Sequence, residues 1–262
     1  MHLLGSLSAA SALLACGTHL TANTTTNLND LQMTGASALI GIAAQDDGSS
    51  GMHLRLGVGA NMAQDTDIDD VSFGGISSID SLTGASISYD IGFDINIGLG
   101  IPLMDKLSVE VMTGLAYNSI DTITGTTTFG AATGTLSDAS GDLIQIPIMA
   151  NLRYDFELGE TMSLGLFGGA GFQYSKLTLD SVTTVYPGGG GPGTITVNDF
   201  EDGTDFNFRY QLGVDLAWAL TSDTTLGVYL SYSGTTGADF EDDISTGSLA
   251  NIGIGARFSI AF

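Results

Sequence analysis

The chain has 262 residues, with 37 Gly, 4 Pro and 1 Cys, and carries 6 Lys and Arg against 29 Asp and Glu, a formal charge of -23. That balance excludes a nucleic-acid binder, because nothing in it neutralises a run of phosphates. The lone cysteine excludes an internal disulfide, no apolar run reaches the length of a helical membrane span, and no linker interrupts residues 52–262, which points to one large domain there.

Residues 1–22 read as an export signal: an apolar, small-residue stretch runs from 3 to 15, although only His2 precedes it where a Lys or Arg belongs. Leu13, Leu14, Ala15 and Cys16 resemble a lipobox, which makes Cys16 a lipid attachment site; the alternative is a cysteine inside a removed signal. Residues 23–51 hold a second small apolar stretch, Ala36 to Ala44, which reads as the true signal core, a periplasmic segment or an extra strand.

Eight strands are predicted next, at 52–62, 86–101, 107–118, 143–157, 162–176, 205–220, 225–234 and 249–262. The second is the clearest: Ile87, Tyr89, Ile91, Phe93, Ile95, Ile97, Leu99 and Ile101 alternate with Ser88, Asp90, Gly92, Asp94, Asn96, Gly98 and Gly100. A period of two puts these sets on opposite strand faces. Residues 205–220 repeat the pattern, with Phe206, Phe208, Tyr210, Leu212, Val214, Leu216, Trp218 and Leu220 on one face. The interior of an eight-stranded barrel is filled by modest side chains, so so many large ones cannot all point inward. The large apolar face is therefore read as facing lipid, and the small polar face as lining the lumen.

The connections alternate in length. Those at 102–106, 158–161 and 221–224 are tight, whereas those near 63–85, 119–142, 177–204 and 235–248 are long. Short periplasmic turns and long extracellular loops mark up-and-down outer-membrane barrels. The predicted fold is thus an all-β, eight-stranded antiparallel up-and-down transmembrane β-barrel over residues 52–262, with ten strands as the alternative if residues before 52 contribute. Tyr154, Phe156, Trp218, Phe258 and Phe262 fall near the periplasmic strand ends, and Tyr117, Phe172, Tyr174, Phe206, Phe208 and Tyr232 near the outer ends, as two interfacial girdles would.

Three segments carry a family likeness: Ile146 to Phe156, the glycine-rich Leu166 to Phe172, and Gly255 to Phe262. On them the chain resembles the small outer-membrane β-barrel proteins, the OmpA-like, OmpX-like and opacity-protein group. The resemblance implies a bacterial outer-membrane location among lipid and lipopolysaccharide. It also implies that Phe258, Ile260 and Phe262 form the C-terminal signal read by the barrel-assembly machinery. Arg257 departs from the pattern, standing where a glycine is often found.

Four of the six basic residues, Arg55, Arg153, Arg209 and Arg257, fall on predicted interior faces, as do Asp90, Asp94, Glu110, Asp155 and Asp215. A buried guanidinium without a carboxylate costs several kcal/mol, so a lumen ion-pair network is expected, with Glu110 and Arg153 as its first pair. Such a network either gates an ion path or plugs the lumen.

Seventeen of the 29 carboxylates lie in or beside the four long loops, among them Asp65, Asp67, Asp69, Asp121, Asp138, Asp142, Asp180, Asp205 and Asp239. A rim so acidic would draw weak Ca²⁺ or Mg²⁺ between itself and lipopolysaccharide. Asp65 to Asp69 begins like a calcium loop, but Asp70 stands where glycine is needed, so plain solvated charge is the competing reading and no metal site is assigned. Gly188 to Gly191 lacks the lysine of a phosphate loop.

No catalytic set is read here. His2 and His19 precede the barrel and His53 begins its first strand near the periplasm, so no Ser-His-carboxylate arrangement forms at the loop end. The expectation is a monomeric, cofactor-free, non-enzymatic barrel with a plugged polar lumen that presents acidic loops for surface structure, adhesion or recognition. A small porin-like channel is the alternative.

Overall fold

The computed structural model describes residues 51–69, 71–72, 81–187, 193–198, 203–240 and 244–262. The chain divides into Met1–Ser50 and Gly51–Phe262, and only the second unit falls within this range. The export signal at 1–22, Cys16, the stretch Ala36 to Ala44 and the glycine run at 188–191 all lie outside the described residues.

The strands are β1 (His53–Ala63), β2 (Thr66–Ile68), β3 (Val71–Ser72), β4 (Ser81–Tyr89), β5 (Gly92–Met104), β6 (Leu107–Phe129), β7 (Ala132–Glu157), β8 (Met162–Val185), β9 (Thr194–Asn198), β10 (Gly203–Ala219), β11 (Thr224–Phe240) and β12 (Ile244–Ala261). β1, β5, β6, β7, β8, β10, β11 and β12 pair antiparallel in that order, and β12 returns to β1 from His53↔Ala261 to Ala63↔Asn251. This closes an eight-stranded ring, as the alternation predicted. Closure pairs every strand on both sides, so no edge is left within the ring.

The outer half differs from expectation. A tilted strand crosses hydrocarbon in about 9–11 residues, yet β6, β7 and β8 run for 23, 26 and 24. Much of what reads as loops at 119–142 and 177–204 is strand. β6 and β7 meet in a hairpin at Gly130, whose φ of 58° suits glycine. β4 pairs with the upper half of β6 from Ser81↔Thr128 to Tyr89↔Ile120, β2 bridges β12 and β4, and β9 pairs with the top of β8. The ladders of the barrel thus continue upward into a β extension.

The strand predicted at 86–101 is two strands. β4 ends at Tyr89 and β5 starts at Gly92, and the ladder to β6 shifts register between Ser88 and Tyr89. Ile87 is fully buried while Ile91 is 72% exposed, although both hold the same parity. A one-residue irregularity turns each following side chain to the opposite face, so the same alternation serves two environments.

Those environments are opposite in polarity. In the ring, Val58, Phe93, Ile95, Ile148, Leu212 and Ile254 point outward and are exposed, while Asn61, Glu110, Asn151, Arg153, Gln211 and Asp215 are buried inside. In the extension the inward side chains are Ile87, Ile120, Ile123, Leu136, Leu143, Leu177, Val182 and Leu249, a contiguous buried cluster. The lower part is built for hydrocarbon around it, and the upper part for water.

Aromatic side chains mark the transition. Phe93 stacks on Tyr117 and Phe172 on Phe206, with centroids 5.5 and 5.4 Å apart, and Tyr210 meets Tyr232. Below, Tyr154 packs on Phe156, and Trp218 is outward and exposed. Trp218 stands ten positions from Phe208 on β10, matching a crossing of about 9–11 residues.

Candidate functional site

The lumen is stacked in layers, because inward residues of neighbouring strands stand at matched heights. At the short-turn end Arg55 on β1 donates to Glu110 on β6 at 2.7 Å. Arg153 on β7 makes a two-pronged contact with Asp215 on β10, its Nη2 at 2.6 Å from Oδ1, and also meets Asp155 at 2.7 Å. Arg257 on β12 reaches the same Asp215 at 3.0 Å. Arg55, Glu110, Arg153, Asp215 and Arg257 are all buried.

Six of the nine predicted network residues are therefore brought together, but with different partners. Glu110 takes Arg55 rather than Arg153, because Arg153 is held by Asp215, two strands along the ring. Adjacent strands did not decide the pairing; each pair reaches over glycines of the strand between its members, Gly98 and Gly100 on β5 and Gly165 on β8. A planar guanidinium donates along two edges at once, and Arg153 gives its Nη1/Nη2 fork to Asp215 and its Nε side to Asp155.

The other three stand apart. Asp90 is exposed at the break between β4 and β5 and is no lumen residue; its backbone is engaged there, the carbonyl accepting from Asn118 Nδ2 and the N–H donating to the Ser119 carbonyl, both at 2.9 Å. Asp94 accepts from the Tyr229 hydroxyl at 2.7 Å and from Asn96 at 2.9 Å. Arg209 donates to Gln173 and, at 2.7 Å, to Ser233 Oγ, so amide and hydroxyl groups replace the expected carboxylate.

Above the ionic layer lies a mixed one. The Arg257 guanidinium carbon sits 5.0 Å from the Phe167 ring centre and 4.9 Å from that of Tyr229. Such cation–π contacts are worth about 0.5–2 kcal/mol each. Phe167 and Tyr229 are large inward residues that the size argument did not anticipate. Room for Phe167 comes from its ladder partner Gly213, where a Cβ would strike the Phe167 ring. The signal was present in the sequence, since Phe167 shares parity with Gly165, Gly169 and Gly171.

Higher still is an amide layer. Asn61 donates to Asn118 and Asn251, Gln211 to Asn151 at 2.7 Å, and Gln173 to Ser175 at 2.9 Å. Directly above it the apolar cluster of the extension begins with Ile120, Leu143, Leu177 and Leu249. That apolar layer carries no sequence signal, because it continues the lumen-facing side of strands that are polar lower down.

Among the described residues the packing leaves a vestibule and a smaller chamber. A vestibule of about 270 Å³ at the short-turn end is lined by His53, Arg55, Arg153, Asp215, Asp223 and Arg257. A chamber of about 40 Å³ higher up is lined by Asp94, Asn96, Arg209, Tyr229 and Arg257. It has room for about three waters, at 10–15 Å³ each by this measure. Arg257 lines both.

On the extension, Asp65, Asp67, Asp69, Asp121, Asp138 and Asp180 are exposed. The segment that begins like a calcium loop is strand β2 with Thr66 and Ile68 turned inward, so its aspartates do not wrap a common point. Among the described residues no three His, Cys, Asp or Glu side chains converge on a metal-sized position. At the other end Phe262 and Ile260 are outward and exposed, Phe258 is half-buried, and the Phe262 amide donates to the Met52 carbonyl at 2.9 Å.

Among solved structures, the chain is similar to Neisserial surface protein A at 16% identity (82% of this chain, all of that one, TM-score 0.46). It is also similar to the outer-membrane protease OmpT of Escherichia coli at 9% identity (83% and 99%, TM-score 0.48) and to OprG of Pseudomonas aeruginosa at 15% (80% and 96%, TM-score 0.41). No curated protein matches by sequence. The signature of the autotransporter beta-domain, in contrast, matches residues 13–219, over three quarters of the sequence. With its closed ring, outward apolar belt and polar lumen, the chain belongs to the autotransporter beta-domain family and is a bacterial outer-membrane β-barrel protein.

Proposed function

We propose that this protein is a non-enzymatic, non-conducting surface barrel whose rigid wall lifts an acidic β extension above the outer membrane for structure, adhesion or recognition. What supports the reading is that side chains pack the lumen at two levels, in the Arg55, Glu110, Arg153, Asp215 and Arg257 layer and in the apolar cluster around Leu143. An ion entering from either end would be desolvated against side chains already paired or against hydrocarbon, at a cost of several kcal/mol. This is the behaviour expected of the OmpA-like and OmpX-like group rather than of a wide pore.

The barrel is further read as a monomer, with lipid and lipopolysaccharide as its surroundings and Phe258, Ile260 and Phe262 as the assembly signal. Exposed aspartates near the outer girdle would take weak divalent cations between protein and lipopolysaccharide. A small channel is the second reading, favoured by the 270 Å³ vestibule and its charged lining. Purified protein in planar bilayers separates the two. Silent membranes at high protein load support the closed barrel, and a steady unitary current refutes it.

A further inference from the structure

The outward face of the extension is chemically uniform. Five adjacent strands, β4, β6, β7, β8 and β9, carry outward Ser81, Thr83, Ser86 and Ser88; Thr122, Thr124, Thr126 and Thr128; Thr133, Thr135, Ser137 and Ser140; Ser181 and Thr183; and Thr194 and Thr196. One row runs straight across all five as Thr83↔Thr126↔Thr135↔Val185↔Thr194. Among the described side chains, Val185 and Asp138 interrupt the hydroxyl pattern. The remaining nearby carboxylates flank the face: Asp121, Asp142 and Asp180 lie below, toward the membrane, and Asp67 on β2 stands at its edge beside Ser86.

These hydroxyls are held in place. Ser81 pairs with Thr128 at 2.8 Å, Ser140 with Ser181 at 2.8 Å, and Thr183 with Thr196 at 3.0 Å. Each hydroxyl offers one donor and two acceptor positions, so one such contact leaves capacity for a ligand. The sheet spaces them at about 4.8 Å between strands and about 6.8 Å along a strand, and each threonine adds a methyl beside its oxygen.

Charge and area select the partner. The face has no cation to hold a polyanion, and the carboxylates below it repel one. A polycation would settle on those carboxylates instead. With about 19 Å across and about 24 Å along, the face offers roughly 450 Å², well under the 800 Å² per partner of a stable protein interface. A second copy or a folded protein is therefore a poor fit. A chain that repeats hydroxyl and C–H groups along its length matches the alternation of oxygen and methyl, and its fixed counterpart lowers the entropy lost on contact.

We infer that this hydroxyl face is a docking surface for a neutral polysaccharide. The inference rests on the surface-barrel reading and names its partner class.

The test uses the full chain in nanodiscs over immobilised dextran, mannan and galactan, with heparin as the anionic surface. Retention is expected on at least one neutral polymer, surviving about 1 M salt, where charges are screened beyond about 3 Å. The T126V/T135V/T183V variant keeps side-chain shape and strand preference while removing three hydroxyls. With folded gel mobility intact, it should lose at least about tenfold in affinity, as three modest hydrogen bonds imply. No retention on any neutral polymer overturns the inference, as does unchanged retention in the variant, salt-sensitive retention on heparin alone, or a concentration-dependent dimer that the variant abolishes. The same preparation is run in planar bilayers. Silent membranes without retention sink this inference alone, whereas a steady current sinks the surface-barrel reading and leaves retention to decide the face.

Discussion

Arg153 meets Asp215 fork to fork over Gly165 of the intervening strand, and the same carboxylate also accepts from Arg257 at 3.0 Å. Asp215 is thus the anion on which two of the three lower arginines converge. Taking it away leaves Arg257 with its two aromatic neighbours and Arg153 with Asp155 alone.

Asp215→Asn keeps the shape and removes the charge. Breaking one side of a buried ion pair costs about 3–5 kcal/mol, so the variant should unfold at clearly lower urea, followed by Trp218 fluorescence. An unchanged midpoint would mean that water, not Asp215, neutralises these guanidinium groups.

A double-mutant cycle addresses the pairing itself. Arg55→Ala with Glu110→Ala should show a coupling of about 1.5 kcal/mol or more, while Glu110→Ala with Arg153→Ala should be close to additive. The reverse result would restore the pairing expected from strand adjacency.

That pairing shows where the sequence was legible. Parity told which side chains face inward, so Arg55, Glu110, Arg153, Asp215 and Arg257 were identifiable. Partner choice depends on barrel diameter and stagger, which a period of two does not encode. Eight ring strands were readable because each alternates over a membrane crossing. The extension was not, since the upper parts of β6 and β7 are rich in Thr, Ser and Gly and look like loop. Ile87 and Phe93 share one unbroken alternation yet face opposite environments, and only the register shift at Ser88 and Tyr89 separates them.

If the extension has its own core, it should loosen without the barrel. Leu143 is 1% exposed, and Leu143→Ala should remove about 2–5 kcal/mol from its surroundings. Hydrogen exchange should quicken across Ile120 to Phe129, while Val109 to Thr113 stays protected and folded gel mobility is kept. Equal loss of protection in both stretches would show one cooperative unit instead.

The mixed layer makes the last case. Phe167 occupies space that exists because residue 213 has no side chain, and its ring carries one face of the Arg257 contact. Gly213→Ala drives a methyl into that ring, and overpacking of this kind costs about 1–3 kcal/mol. Phe167→Leu alone leaves a smaller group and loses one cation–π contact, so it too should destabilise. Combined, the two changes relieve the collision, and Gly213→Ala with Phe167→Leu should sit above the sum of the single effects in urea midpoint. Strict additivity would mean that the ring already moves freely past residue 213, and that Arg257 is held by Asp215 and Tyr229 alone.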